Sequence, residues 1–224
     1  KTLKEHQDDI VRCAEMFFLE YGEYFTEKEK HLVIEACRMH DWGKANLVFQ
    51  GLVNSVQVKD TYSHISRITQ IPHGFLSAVT ISGKEFKKLS ELFSEKDFRP
   101  FITAIYHHHD REDVYEGDDI RKYAEKYYIE QIRKYLERDI KKLYCSNQSK
   151  LLYRNNSYAR REPIEPKVWE EYLLIKGLLN KFDYTVSAGY ERAEIELDLR
   201  EKKLRKNIET YLQNKELRPA QKFM

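Results

Sequence analysis

Glycine and proline are scarce, 8 and 5 in 224 residues, too few turn formers for a sandwich or barrel of short strands, and the balance favours helices. Cysteine is scarcer still. Cys13, Cys37 and Cys145 are odd in number, far apart and without a CxxC pair, so neither a disulfide framework nor a zinc ribbon is expected, and a reducing cytoplasm is the expected setting. No apolar run approaches the roughly 18 residues that a membrane helix needs. No leader peptide is apparent, and Lys1 in place of Met suggests a trimmed start. An excess of one charge is also missing, with 39 Lys and Arg against 37 Asp and Glu. Any nucleic-acid binding must therefore come from local patches and not from a general basic coat. With 41% hydrophobic and 34% charged residues, the composition is that of a globular chain. Its length permits one sizeable domain, or one domain with an appendage.

Helical periodicity dominates what is present. Leu3, His6, Ile10, Cys13, Ala14 and Phe17 share one face at spacings of three and four. Thr26 and Glu29 form a capping-box signature, and the helix they open carries Leu32, Val33, Ala36 and Cys37 on a stripe that runs into His40. Gly43 marks a bend. A turn-like stretch follows from about 51 to 70, with a helix expected over about 74–82 behind Pro72. Pro100 opens a helix with Phe101, Ala104, Ile105 and His108 in phase. A tyrosine-rich amphipathic pattern spans about 119–143, and a long loop about 145–162. Pro166 starts a helix expected to bury Val168, Trp169, Leu173, Leu178 and Leu179 and to end near Asp183, and a charged helix is expected over about 190–217. The fold class is all-α: one domain over 1–189, then a helical extension over 190–224.

Eight histidines are present, and His6, His40, His73 and His108 fall on helix ends or apolar faces. One such residue is usually a packed, hydrogen-bonded side chain. Several together point to a metal, because a divalent transition ion offsets the cost of burying neutral imidazoles. The most informative string is MHDWGKANLVFQ. Adjacent side chains in mid-helix diverge by about 100°, but at a helix terminus His40 and Asp41 can converge, and Gly43 suggests a terminus there. A carboxylate can bridge two cations where an imidazole serves one. His40 and Asp41 thus suit a dinuclear centre, with ions roughly 3.5–4 Å apart holding a phosphodiester oxygen and activating water.

The ordered set His6, His40-Asp41, Lys44, His73, the run His107-His108-His109 and Asp183 resembles the HD phosphohydrolase superfamily. HDWGKANLVFQ, HGFLSA, AIYHHHD and LLNKFDYTVSAG more narrowly resemble the HD nuclease domain of the CRISPR type I interference nuclease-helicase. The resemblance implies an HD-domain helical bundle and metal-dependent cleavage of single-stranded DNA. It implies His6, His40, Asp41 and Asp183 on one ion, and Asp41, His73 and a histidine pair on the second. It also places Lys44 beside the scissile phosphate, where it would stabilise developing negative charge. Ser77 would support His73 or touch substrate. Where the family has two adjacent histidines this chain has three. The helical wheel centres His108, with His107 and His109 about 100° to either side; His107 is preferred as the ligand and His109 is the alternative. His31 and His64 match nothing in the pattern and read as surface or loop residues.

Between 141 and 161 six basic residues (Lys141, Lys142, Lys150, Arg154, Arg160, Arg161) occur without an acidic one, interleaved with Tyr144, Tyr153 and Tyr158. Cations that track phosphates and rings that stack bases suit a single-strand groove; a solvated loop is the plainer alternative. The tail ELRPAQKFM resembles the opening of a superfamily 2 helicase. With no Walker A motif in the chain, the expectation is that the native protein continues into a helicase motor, or that the motor is a separate chain. The leading expectation is a two-metal nuclease of CRISPR interference. It would work with a CRISPR RNA-guided surveillance complex and use Mn, Fe, Ni or Co more readily than Mg, which prefers all-oxygen shells. A hydrolase of nucleotides or cyclic dinucleotides is the first rival, and a docking module with a vestigial site the second.

Overall fold

Two capping boxes start the first pair of helices. In α1 (Leu3–Tyr21) the Thr2 hydroxyl accepts from the Glu5 N–H while the Glu5 carboxylate accepts from the Thr2 N–H, and Thr26 and Glu29 repeat the arrangement ahead of α2 (Glu27–Met39). Each box satisfies donors that a helix N-terminus otherwise leaves without partners. The computed structural model describes residues 1–53, 71–93, 97–109, 117–137, 139–152 and 165–194. Within them lie short 3-10 turns at Gly22–Tyr24, Trp42–Ala45 and Cys145–Lys150. The remaining α-helices are α3 (Leu47–Val53), α4 (His73–Thr80), α5 (Gly83–Phe93), α6 (Arg99–Tyr106), α7 (Gly117–Tyr127), α8 (Ile129–Leu136) and α9 (Pro166–Ser187). No strand occurs among the described residues, and no described helix is long and apolar enough to cross a membrane. The chain is an all-α bundle.

Helices α1, α2, α6 and α9 pack on one another, and α4 lies against α6 and the Trp42–Ala45 turn. Ile10, Ala14 and Phe17 of α1 are buried against Ile175, Leu179 and Phe182 of α9, with the Phe17 and Phe182 rings edge to face at 5.2 Å. Such a pair adds about 0.5–1.5 kcal/mol to the area it buries.

Two sequence expectations for α9 need correction. The helix runs to Ser187, one turn past Asp183. Its buried stripe is Tyr172, Ile175, Leu179, Phe182 and Val186, and Leu173 is 53% exposed. Leu173 sits about 100° from that stripe on the helix, so its apolar character misled the phase. The tyrosine-rich pattern divides into α7 and α8 at Tyr128, whose φ of −128° breaks the helix. Residues Lys1–Ala193 form one compact unit, and the expected extension lies, from residue 195 onward, outside the described residues.

Candidate metal centre

The centre is built where α2 stops. His40 caps the helix, Asp41 turns out of it at φ −101°, ψ 4°, and the 3-10 turn Trp42–Ala45 follows. This break lets two consecutive side chains face one point. The turn lies hard against the start of α4, and a Cβ on Gly43 would sit 2.0 Å from the His73 carbonyl oxygen. Gly74 is similarly confined, with its absent Cβ 2.7 Å from the Tyr106 carbonyl oxygen and 3.1 Å from the His108 ring. Ser77 fastens the junction. Its hydroxyl accepts from the Gly43 N–H at 2.8 Å and lies 2.6 Å from the His40 carbonyl and 2.8 Å from that of His73, as possible acceptors. The expected contact of Ser77 with substrate is therefore corrected: the residue is 0% exposed and its hydroxyl is taken up by backbone.

Asp41 sits at the middle with its two oxygens facing different donors. Its Oδ2 lies 2.7 Å from Lys44 Nζ, 3.5 Å from His40 Nε2 and 3.9 Å from His6 Nε2. Its Oδ1 lies 3.4 Å from His73 Nε2 and 4.0 Å from His108 Nε2. Asp183, brought in by α9, stands 3.3 Å from His6 Nε2. Among the described residues three groups could hold a cation: His6, Asp41 and Asp183; His40, Asp41 and His108; and His73, His108 and His109. In each, the ligand atoms lie within 4.8 Å of one another. Five of the nine described α-helices, or the turns that end them, contribute a side chain (α1, α2, α4, α6, α9).

The histidines are oriented from behind. His40 Nδ1 lies 3.0 Å from the Cys37 carbonyl and His108 Nδ1 lies 2.7 Å from that of Ile105. A carbonyl only accepts, so both Nδ1 atoms carry a proton, and Nε2 is the ring nitrogen that each histidine turns to the centre. Burial pushes His73 down to about 3 and His108 well below the ordinary imidazole range, against the pull of Asp41. Burial alone would raise Asp41, but His40, Lys44, His73 and His108 outweigh it and hold the carboxyl well below the usual range. Asp183 is likewise lowered: burial opposes, and the hydrogen bond from His6 prevails. An ionised Asp41 beside neutral His73 and His108 is the protonation state that metal binding requires. The residues also fit a cation in another respect. His40 Nε2 and Asp41 Oδ1 are buried acceptors with no hydrogen-bond partner, a cost of about 1–3 kcal/mol each that coordination removes.

His109, and not the preferred His107, stands with His73 and His108: the His73 and His109 rings are 4.9 Å apart. The reason is local. Helix α6 ends at Tyr106 and His107 leaves it at φ −104°, ψ 19°, so helical angles no longer give directions beyond it. His107 is buried beside Tyr106, ring centroids 4.5 Å apart. His31, expected at the surface, is half-buried on α2, and His64 lies outside the described residues. Of the expected substrate contacts, Lys150 is exposed with its Nζ 4.5 Å above the Phe86 ring; Arg154, Arg160 and Arg161, with Tyr153 and Tyr158, lie outside the described residues.

A clamp behind Lys44 had not been read from the sequence. Asn46, fully buried, donates to the Gly43 carbonyl and accepts from the Phe49 N–H and the Tyr123 hydroxyl, while Gln50 donates to the Lys44 carbonyl. Asparagine immediately before the apolar Leu47-Val48 is an N-cap signal that would have revealed part of it.

A helical bundle that gathers histidines and aspartates from these separate elements around His40-Asp41 is an HD-domain fold. Residues 3–170, well over half of the chain, match the family described as Cas3, HD domain. The chain belongs to that family and is a CRISPR-associated metal-dependent nuclease domain. No curated protein and no solved structure matches it. Asp183 lies beyond the matched residues, and its place at the centre rests on its position beside His6.

Proposed function

We propose that the domain cleaves single-stranded DNA during CRISPR interference and uses two divalent ions, which Asp41 would share. His6, His40, Asp41 and Asp183 would hold one ion, and Asp41, His73, His108 and His109 would hold the other. The observation that carries this is the division of the Asp41 oxygens between two donor sets. Bound ions would supply Lewis-acid polarisation of the phosphodiester and a nucleophile at neutral pH. The nitrogen-rich donor set favours Mn, Fe, Ni or Co over Mg.

The chain's own residues do the rest. Ser77 and the close approach at Gly43 keep the two halves of the centre in register. Lys44, already 2.7 Å from Asp41, is placed to meet negative charge developing on phosphate, and the Asn46–Gln50 clamp fixes the backbone from which it projects. The basic tract that opens at Lys141 guides the strand. A CRISPR RNA-guided surveillance complex delivers the DNA, and a helicase motor, in the same chain or a separate one, feeds it.

The test compares single-stranded DNA, duplex DNA, nucleotides and cyclic dinucleotides under Mn, Fe, Ni, Co and Mg, for wild type and Asp41→Ala. Single-strand cleavage under the transition ions, absent in Asp41→Ala, is expected. Hydrolysis confined to nucleotides or cyclic dinucleotides would move the assignment to a nucleotide hydrolase. Equal activity in Asp41→Ala and wild type would refute the metal centre, and no ion bound and no cleavage under any metal would leave only a docking role.

A further inference from the structure

Tyr123 stands on α7, a helix that supplies none of the candidate metal ligands, and it is 8% exposed. Its hydroxyl lies 3.0 Å from Oδ1 of Asn46, two residues past Lys44. The same hydroxyl takes a backbone hydrogen bond from Ile71, two residues before His73. Asn46 and Ile71 are both buried. One buried group thus joins the stretch that carries Lys44 to the stretch that leads into His73.

Every proton in this junction has a determined direction. Asn46 Oδ1 also receives the Phe49 N–H at 2.8 Å, so that end of the amide is the oxygen, and the other end donates to the Gly43 carbonyl. An amide oxygen only accepts. The Tyr123 O–H therefore donates to Asn46, and its own oxygen is left to accept the Ile71 N–H. Burial outweighs the Ile71 bond and pushes the Tyr123 hydroxyl up to about 12, so the donor keeps its proton through the neutral range.

Tyr123 and Ser77 hold the same two pieces of chain at different places. Ser77 meets them at His40, Gly43 and His73, at or beside the ligands. Tyr123 meets them at Asn46 and Ile71. Because Asn46 closes on the Gly43 carbonyl, the short arc that bears Lys44 is pinned at both ends. The Nζ of Lys44 lies 2.7 Å from Asp41 Oδ2 and 5.9 Å from the centre of the Phe49 ring. Phe49 is itself tied to Asn46 through its N–H, so release of Asn46 would disturb both neighbours of the ammonium.

We propose that Tyr123 is a positioning residue for Lys44: its hydroxyl, through Asn46 and Ile71, fixes the arc that bears the lysine against the start of α4. This rests on the reading above of Lys44 as the group that meets charge developing on phosphate. Labour is divided accordingly, with Ser77 securing the ligands and Tyr123 securing the lysine.

The test compares Tyr123→Phe, Asn46→Ser and Tyr127→Phe with wild type, all as the full chain. Phenylalanine keeps the ring of Tyr123 and deletes its hydroxyl. Serine at 46 still caps the helix behind it but is shorter and withdraws from Tyr123. Tyr127, whose ring stands 5.3 Å from that of Tyr123 on the same helix, is the control. With Mn and bis(p-nitrophenyl) phosphate, kcat should fall at least about tenfold in Tyr123→Phe and in Asn46→Ser. The fall should not exceed the roughly 10²–10³ expected of Lys44→Ala, and KM should change by less than about twofold. Tyr127→Phe should behave as wild type. Added to Lys44→Ala, Tyr123→Phe should cost less than about twofold more, because a residue that acts through Lys44 then has nothing to act on. Titration should find the wild-type number of Mn ions in Tyr123→Phe. In metal-free protein, amide hydrogen exchange over 43–50 and over 71–76 should quicken in Tyr123→Phe and in neither segment in Tyr127→Phe.

Losses that multiply in the Lys44→Ala/Tyr123→Phe pair, or Mn lost from Tyr123→Phe, would overturn the assignment and make Tyr123 a support of the ligands. Exchange unchanged in either segment would overturn it too. Should Tyr123→Phe melt below the assay temperature, Asn46→Ser carries the kinetic comparison with Tyr123 in place, and a wild-type kcat there would overturn the proposal. Absence of phosphodiester cleavage by wild type under every ion would defeat the nuclease reading separately, and the exchange comparison, made in EDTA, would still decide the tie.

Discussion

Gly43→Ala is the most exacting test of how the centre is held. The added Cβ would fall 2.0 Å from the His73 carbonyl oxygen and 2.7 Å from its carbonyl carbon and Cα, where ordinary contact starts at 3.4 Å. The obstacle is backbone, so either the Trp42–Ala45 turn or the start of α4 must retreat by about 1.4 Å. Overpacking of this kind costs about 1–3 kcal/mol, which in a chain of this size lowers the melting temperature by roughly 2–12 °C. The retreat also separates Asp41 from His73, and misplacement of reacting groups by about 1 Å costs on the order of a hundredfold in rate. Gly177 supplies the opposite case. It lies in mid-α9 with nothing within 4 Å of its missing Cβ, and alanine there should stabilise the chain by up to about 1 kcal/mol with no effect on rate. Thermal unfolding and manganese-dependent cleavage of single-stranded DNA, measured on both variants, decide the matter. A Gly43→Ala enzyme with wild-type melting temperature and rate would show that the two halves of the centre are not in contact as described.

Three further outcomes are expected. Lys44→Ala should retain bound metal by elemental analysis yet cleave roughly 10²–10³ times more slowly, the usual loss for one preorganised electrostatic stabiliser. His109→Ala should lower metal occupancy or affinity whereas His107→Ala should not, read by titration with Mn or Co; the reverse result would return the ligand role to His107. Ser77→Ala leaves the buried Gly43 N–H without its acceptor, so unfolding should be easier by about 1–3 kcal/mol, with metal stoichiometry preserved because no ligand is removed.

What the sequence disclosed of this centre, and what it hid, follows from the range over which sequence patterns act. His40 and Asp41 were legible because a glycine three residues past His40 announces the end of a helix, and only an end lets neighbours converge. The capping box at Thr26 and the prolines at 72, 100 and 166 located helix starts for the same reason: each is a local contract between a side chain and its own backbone. The buried stripe of α9 was misphased because a helix with apolar residues on several faces does not declare which face meets its neighbour; the packing of Phe182 on Phe17 settles it.

The histidine run shows the same boundary at its sharpest. Three consecutive imidazoles carry no information about which two turn inward unless the backbone between them is known, and α6 stops one residue before the run begins. Once the helix ends, the 100° step that made His107 and His109 symmetric alternatives no longer applies. What breaks the symmetry is the position of α4. A Cβ on Gly74 would lie 2.7 Å from the Tyr106 carbonyl oxygen, so α4 packs directly on the end of α6, and the His73 and His109 rings stand 4.9 Å apart there. Which histidine stands beside His73 thus depends on the close approach of α4 to α6 at Gly74, 35 residues before His109, a coupling that only the folded arrangement makes visible.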